Sequence, residues 1–332
     1  KSGIGRFGEL RGLTLGCTRP AQQKHDNQGR QPRHESGAQA RPSTYPPVMA
    51  DFSEKRVALV IGSGAIKCAC AIGVYDVLQS EGIAIDLVVG CSAGSIYAAV
   101  IALGYSPAQA EEESIRLWTQ ELTRQRSRKA ILQVVLPQIF GFNENFGLLD
   151  DTLILQRLRT AFRSQQIEDA DIPLFVVATD FENGEKVVLD SGSIVDAIRA
   201  SLAIPFVFSP WRVGDRLLMD GFMSDPLPVD VAIKERADII LAVGFESPYQ
   251  YRVNSAAKLA FQITTVAANN LLRSNFAFHN LAHHAEVIPI LPEFEGRIKA
   301  FDVAKLPMII EKGRESIRQE LPYLHELMKG DP

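Results

Sequence analysis

The chain has 332 residues, with 35 Lys/Arg and 39 Asp/Glu for a formal net charge of −4. Hydrophobic residues make up 46% and charged residues 22%, a globular balance that excludes collagen-like, disulfide-scaffold and wholly disordered chains. The charge is split: eight Lys/Arg against three Asp/Glu give residues 1–48 a net of +5 and leave −9 on residues 49–332, a poor match for nucleic-acid phosphates.

Residues 1–48 are rich in Gly, Gln, Arg, Pro and Ser and show neither helical nor strand periodicity. They are expected to form a disordered leader. The segment holds no apolar run of signal-peptide length. Its Arg-rich, acid-poor character also fits an organelle transit peptide. The alternative is that "MADFSEKRVALVIG", from Met49, is the natural beginning and residues 1–48 are upstream or non-native sequence. Cys17, Cys68, Cys70 and Cys91 make no C-x-x-C pair and no zinc spacing. No metal is expected, and a reducing, cytoplasmic compartment fits.

Val57–Ile61 reads as a strand ending at Gly62, followed by a helix over Cys68–Gln79 that Gly82 stops. Leu87–Val89 is a second strand and Ala93–Leu103 a helix. Leu87–Tyr105 runs nineteen residues without a formal charge, close to a membrane-span length. Its glycines and serines fit a strand and a buried helix better, so no transmembrane segment is expected. Pro107 opens a helix to about Arg124. Residues 125–150 form a cap over a pocket or a helix pair. Leu153–Phe162 is helical, Leu174–Thr179 and Lys186–Leu189 form a hairpin, and Ile194–Leu202 is a short helix. Arg216–Met219 is a strand running into Asp220-Gly221. Strands at Ile239–Val243 and Val287–Ile290 and long helices over Ala256–Phe278 and Val303–Met328 complete the chain. The alternation predicts an α/β fold, a three-layer α/β/α sandwich with a mostly parallel central sheet, in one domain over residues 49–332.

Gly90-Cys91-Ser92-Ala93-Gly94 lies between a strand and a helix, the context that a G-x-S-x-G nucleophile turn requires. Small neighbours let a strained turn push the Ser92 hydroxyl out of the sheet. The helix behind it points amides and a positive dipole end at a developing oxyanion. Gly62-Ser63-Gly64-Ala65-Ile66-Lys67 follows the first strand. As a dinucleotide loop it fails, because Lys67 takes the third glycine position and the second strand ends in the serine turn rather than an acid. An oxyanion loop serving Ser92 is favoured, with Lys67 fixing it by a hydrogen bond. For a base, the order Ser92…Asp220…His284 would suit a Ser-Asp-His triad. But His279, His283, His284 and His325 fall in or near long helices. Asp220, carried by "RLLMDGF" to a turn at the sheet's carboxyl edge, is the carboxylate alternative, and Asp180 in "VVATDFENG" reads as a structural turn residue.

These blocks together resemble the patatin-like phospholipase family. The matching segments are "VALVIGSGAIKCACAIGVYDVLQSEGI", "DLVVGCSAGSIYAAV", "IRASLAIPFVF" and "LLMDGFMSDPLP", in the family's order, from about Arg56 to Asp238 and more loosely to the C-terminus. The resemblance implies a Ser-Asp dyad without histidine: Ser92 as nucleophile and Asp220 as base. It implies an oxyanion hole at Gly64, Ala65 and Ile66, supported by Gly62, Ser63, Lys67, Gly90, Gly94 and Gly221, with no metal or other cofactor. It also implies hydrolysis of lipid or phospholipid acyl esters and contact with a membrane periphery. Ser63, Ala65 and Cys68 depart from the family's glycines, and Phe222 stands where Gly or Ala is usual. The altered loop motivates a rival reading, a catalytically silent regulatory or interaction protein. Residues 130–149 supply Ile131, Leu132, Val134, Val135, Leu136, Ile139, Phe140, Phe142 and Phe146 for an acyl pocket, a cap or plain core.

Overall fold

The computed structural model describes residues 55–329, with gaps at 247–248, 250–251, 255, 283–284, 297 and 301. Between 119 and 145 it describes only 127, 133, 139, 141, 143 and 144, and at 256–257 and 276–282 the backbone alone. The leader expected over 1–48 and most of the cap expected over 125–150 lie outside the described residues.

Eight strands form one sheet: β1 (Val57–Ile61), β2 (Leu87–Cys91), β3 (Leu174–Asp180), β4 (Lys186–Leu189), β5 (Trp211–Val213), β6 (Arg216–Asp220), β7 (Ile239–Val243) and β8 (Glu286–Ile290), in the order β5-β6-β3-β2-β1-β7-β8 with β4 also on β3. The run β3-β2-β1-β7-β8 is parallel, while β4, β5 and β6 are antiparallel. The helices are α1 (Cys70–Ser80), α2 (Gly94–Ala102), α3 (Pro107–Leu117), α4 (Thr152–Phe162), α5 (Ile194–Ser201), α6 (Val229–Lys234), α7 (Ala256–Ala282) and α8 (Leu306–Met328).

Strand side chains alternate between two cores. Val57, Leu59 and Ile61 of β1 pack with residues of α1, α2 and α8. Ala58 and Val60 point the other way, toward Val229 and Val231 of α6 and Leu272 of α7. Burial on both faces is why β1, β2 and β7 read as continuous apolar runs rather than as alternating ones. The expected three layers and the expected hairpin (β3–β4) are present. Two short elements escaped the sequence reading. β5 has three residues behind Pro210, too few to show alternation, and α6 has six behind Pro228. A 3-10 turn over Ala65–Ala69 also precedes α1, which starts at Cys70 rather than Cys68.

The register of β3 positions the site. Val176 and Val177 pair with β2 on one side and β4 on the other. Ala178 and Thr179 pair with β4 and β6. Since β4 holds one edge throughout, β2 and β6 share the opposite edge end to end. β2 ends at Cys91 beside Val177, and β6, running the other way, ends at Asp220 beside Ala178.

Candidate active site

Ser92 is the residue that leaves β2, and it stands in the left-handed region at φ 54°. That conformation is unfavourable for a side chain with a Cβ and marks a forced turn. The crowding expected around it is there. A Cβ on Gly90 would lie 2.5 Å from the Cα of Ser95, and one on Gly94 would lie 2.3 Å from the carbonyl oxygen of Ile61. The turn is pinned from both sides. Ser92 N donates to Ser201 Oγ at 2.8 Å, and Ser201 Oγ donates to the Val177 carbonyl at 2.6 Å. Ser95 Oγ donates to the Ser92 carbonyl at 2.6 Å.

Across the shared edge of β3, Ser92 Oγ donates to Asp220 Oδ2 at 2.7 Å. The other carboxylate oxygen, Oδ1, accepts from the Phe222 amide at 3.0 Å. The Asp220 backbone is held as well: its amide donates to the Ala203 carbonyl at 3.0 Å, and its carbonyl accepts from Thr179 Oγ1 at 2.9 Å. A Cβ on Gly221 would meet the Val177 carbonyl oxygen at 2.3 Å, so the chain approaches β3 as closely as backbone can. Asp220 is fully buried. Burial raises its pKa to about 7, against the opposing hydrogen bonds from Phe222 and Ser92. Asp180 behaves as read, with Oδ1 accepting from the Glu182 amide at 2.9 Å in a turn.

The loop after β1 faces the same pair. The Gly62 and Ser63 amides are taken up by the carbonyls of Val243 and Pro226, and the Lys67 amide by that of Gly64. No described hydrogen bond takes up the amides of Gly64, Ala65 or Ile66, and all three residues line the cavity that contains Ser92. Three positions of the loop are locally constrained. A Cβ on Gly64 would lie 2.3 Å from the Phe245 ring. Ala65 sits at φ 52°, a conformation better suited to glycine. Cys68, in the last of the family's glycine positions, donates through Sγ to the Gly62 carbonyl at 3.2 Å. Lys67 Nζ donates to the Glu246 carbonyl at 2.9 Å and lies 5.2 Å from the Phe245 ring centre, so it fixes the loop as expected.

The cavity over Ser92 has a volume of about 270 Å³. Its apolar wall comes from Phe245, Ile298, Phe222 and, on one side of α7, Phe261, Ala268 and Leu272, with Thr265 and Asn269 as polar lining from the same helix. Of the nine apolar residues over 130–149 expected to serve an acyl pocket, a cap or plain core, seven lie outside the described residues. Among the described residues of that segment, Ile139 is exposed, and Phe146 lines a second cavity of about 410 Å³ with Phe181, Phe206 and Phe208. The sequence shows a long helix over Ala256–Phe278 but nothing that says which side of it faces Ser92. Ser201 was hidden too: "IRASLAIPFVF" carries a serine, but only the contact of α5 with β3 shows what it holds. Of the histidines, His283 and His284 lie outside the described residues, as does the side chain of His279. His325 is on α8, with Nε2 3.5 Å from Glu81. Among the described residues, no cluster of His, Cys, Asp and Glu is arranged to hold a metal ion.

A sequence model of the patatin-like phospholipase family matches residues 59–233, and the chain belongs to that family. An NTE family protein of Mycobacterium tuberculosis, described as uncharacterised, is 32% identical over 230 residues, 69% of this chain and 59% of that protein. The human patatin-like phospholipase domain-containing protein 6 is 29% identical over 189 residues, 56% of this chain and 13% of that protein. The chain therefore spans less than two thirds of the length of either relative. Among solved structures, VipD of Legionella pneumophila covers 82% of this chain and 67% of its own at 16% identity and a TM-score of 0.48.

Proposed function

We propose that the protein is a serine hydrolase of lipid or phospholipid acyl esters, acting through Ser92 and Asp220. The single observation that carries this reading is the 2.7 Å hydrogen bond from Ser92 Oγ, in the lining of a largely apolar cavity, to a fully buried carboxylate. A triad would interpose an imidazole between serine and aspartate. Here the carboxylate oxygen itself receives the hydroxyl hydrogen, which favours the dyad over the Ser-Asp-His alternative.

The steps follow from these atoms. Asp220 Oδ2 accepts the Ser92 proton as Oγ attacks the acyl carbonyl. The oxyanion that forms is met by the uncommitted amides of Gly64, Ala65 and Ile66, a donor set already in place when charge develops. Collapse expels the alcohol, which leaves with the proton from Asp220. A water molecule then gives its proton to Asp220 and attacks the acyl-enzyme, releasing the acid and returning Ser92. A carboxylate with an ordinary pKa is a weak base for this work; burial brings Asp220 to about 7, near the pH at which it must exchange protons.

Hydrolysis of a soluble chromogenic short-chain ester tests the reading. Wild type should turn over. Ser92→Ala and Asp220→Asn should each lose at least about a thousandfold in kcat/KM, while His284→Ala retains full activity. Wild type that is folded but inert on ester and phospholipid alike would instead support the silent interaction protein.

A further inference from the structure

Among the described residues, six of the twelve exposed large hydrophobic side chains come from one stretch: Tyr249, Val253, Leu259, Phe261, Ile263 and Val266. Leu259, Ile263 and Val266 recur at helical spacing on α7 and are 50%, 60% and 39% exposed. Phe261 projects to the other side of the helix, at the cavity over Ser92, and is itself 39% exposed. This end of α7 is therefore apolar on both sides. A surface helix of a globular protein normally turns a polar face to water. Thr265, Ala268, Asn269 and Leu272 are buried, so the helix packs on the body from Thr265 onward while Leu259, Ile263 and Val266 stay exposed.

Charge singles out the same stretch. From Ser247 to Ala285 there is no Asp or Glu in a chain that carries 39, yet Arg252, Lys258 and Arg273 fall there. Arg273 is paired with Glu246 at 2.8 Å; Arg252 and Lys258 are exposed, and Lys258 Nζ donates to Asn254 Oδ1 at 2.7 Å. An anionic surface would repel the acidic remainder of the body and draw in this end.

We propose that the N-terminal end of α7 docks the protein on an anionic lipid surface. Leu259, Ile263 and Val266 enter the acyl boundary, and Arg252 and Lys258 lie at the headgroups. The proposal rests on the lipid-ester reading and names where that substrate is met. The stripe runs ~10 Å along the helix axis, and an interfacial helix lies in the plane of the bilayer with such a face turned into the acyl boundary. A stable protein interface of ~800 Å² per partner needs a far wider patch, and a helix end that is apolar on both sides suits a fluid acyl layer better than a one-sided protein surface. Docked this way, Phe261 brings the cavity mouth to the leaflet, so an acyl chain reaches Ser92 without crossing bulk water.

Flotation of the full chain with large unilamellar vesicles tests the face. Wild type should float with mixed phosphatidylcholine and phosphatidylglycerol, and less with phosphatidylcholine alone. The double variant Ile263→Glu/Val266→Glu should lower the vesicle partition coefficient at least about tenfold, while cleaving a soluble short-chain ester like wild type. Ile263→Leu should float like wild type. Unchanged flotation of the double variant, failure of wild type to float, or a vesicle-independent dimer that the double variant dissolves would each overturn the docking face. Flotation needs no turnover, so wild type that floats but hydrolyses no ester would sink the hydrolase reading alone.

Discussion

At Asp220 the cost to the fold and the benefit to the chemistry have one source. Burying the carboxyl raises its pKa from the ordinary 3.8 to about 7. Between those values the folded state holds a proton that the unfolded state has released, so this group's contribution to stability falls as pH rises through the window. Asp220→Asn keeps the size and can still accept from Phe222 and meet Ser92, but it never ionises. Its melting temperature should therefore exceed that of wild type by a margin that grows from pH 5 to pH 8, read by thermal unfolding at each pH. A margin independent of pH would mean that Asp220 is not the group being desolvated. Asp220 was legible because an apolar strand ends on Asp-Gly, and Ser92 because its glycines announce a crowded turn. Ser201 and Thr179, which hold the Ser92 amide and the Asp220 carbonyl, were not. A lone hydroxyl in a helix or strand leaves no local mark of the long-range partner that it will find.

Among elements, β2 and β6 meet head to head along β3, and this converts two turns 128 residues apart into one site. Each strand was legible from its own apolar run. Their shared edge was not, because pairing partners are set by the whole sheet. The same holds for α1 and α8. A Cβ on Gly73 would lie 2.0 Å from the Ile310 carbonyl oxygen, and one on Gly313 would lie 1.9 Å from that of Cys70. Neither glycine sits at a helix end where a stop would explain it; they are there because the helix backbones cross in near contact. Gly313→Ala must push α8 away and should cost about 1–3 kcal/mol, read by denaturant unfolding, with the folded fraction retaining its ester activity. A neutral substitution would mean that the crossing is looser than described.

Over the whole molecule, the layers that build the site are tied through Asp225. Its carboxylate takes Lys186 of β4 at 2.9 Å and Asn275 of α7 at 3.0 Å, and its carbonyl accepts from Cys91 Sγ at 3.3 Å. Lys186 also reaches Asp230 on α6. One nearly buried residue thus joins the sheet edge and the helix that walls the cavity through its side chain, and the serine turn through its carbonyl. Asp225→Ala should destabilise the protein by about 3 kcal/mol and, at permissive temperature, raise KM for an acyl ester more than it lowers kcat, because α7 loses its tether while Ser92 and Asp220 keep theirs. An effect on kcat alone would contradict that division. Among the described residues no helix is long and apolar enough to cross a membrane. The uncharged run Leu87–Tyr105 became β2 and α2, buried between layers, as its glycines and serines required.

The pH dependence of kcat/KM on a soluble ester tests the central claim most directly, because one buried carboxylate is asked to be both hydrogen-bond partner and base. kcat/KM should rise along a single limb with an apparent pKa near 7, the value to which burial pushes Asp220, with no such limb in the residual rate of Asp220→Asn. A profile flat from pH 5 to pH 9, or a limb that survives in Asp220→Asn, would contradict it.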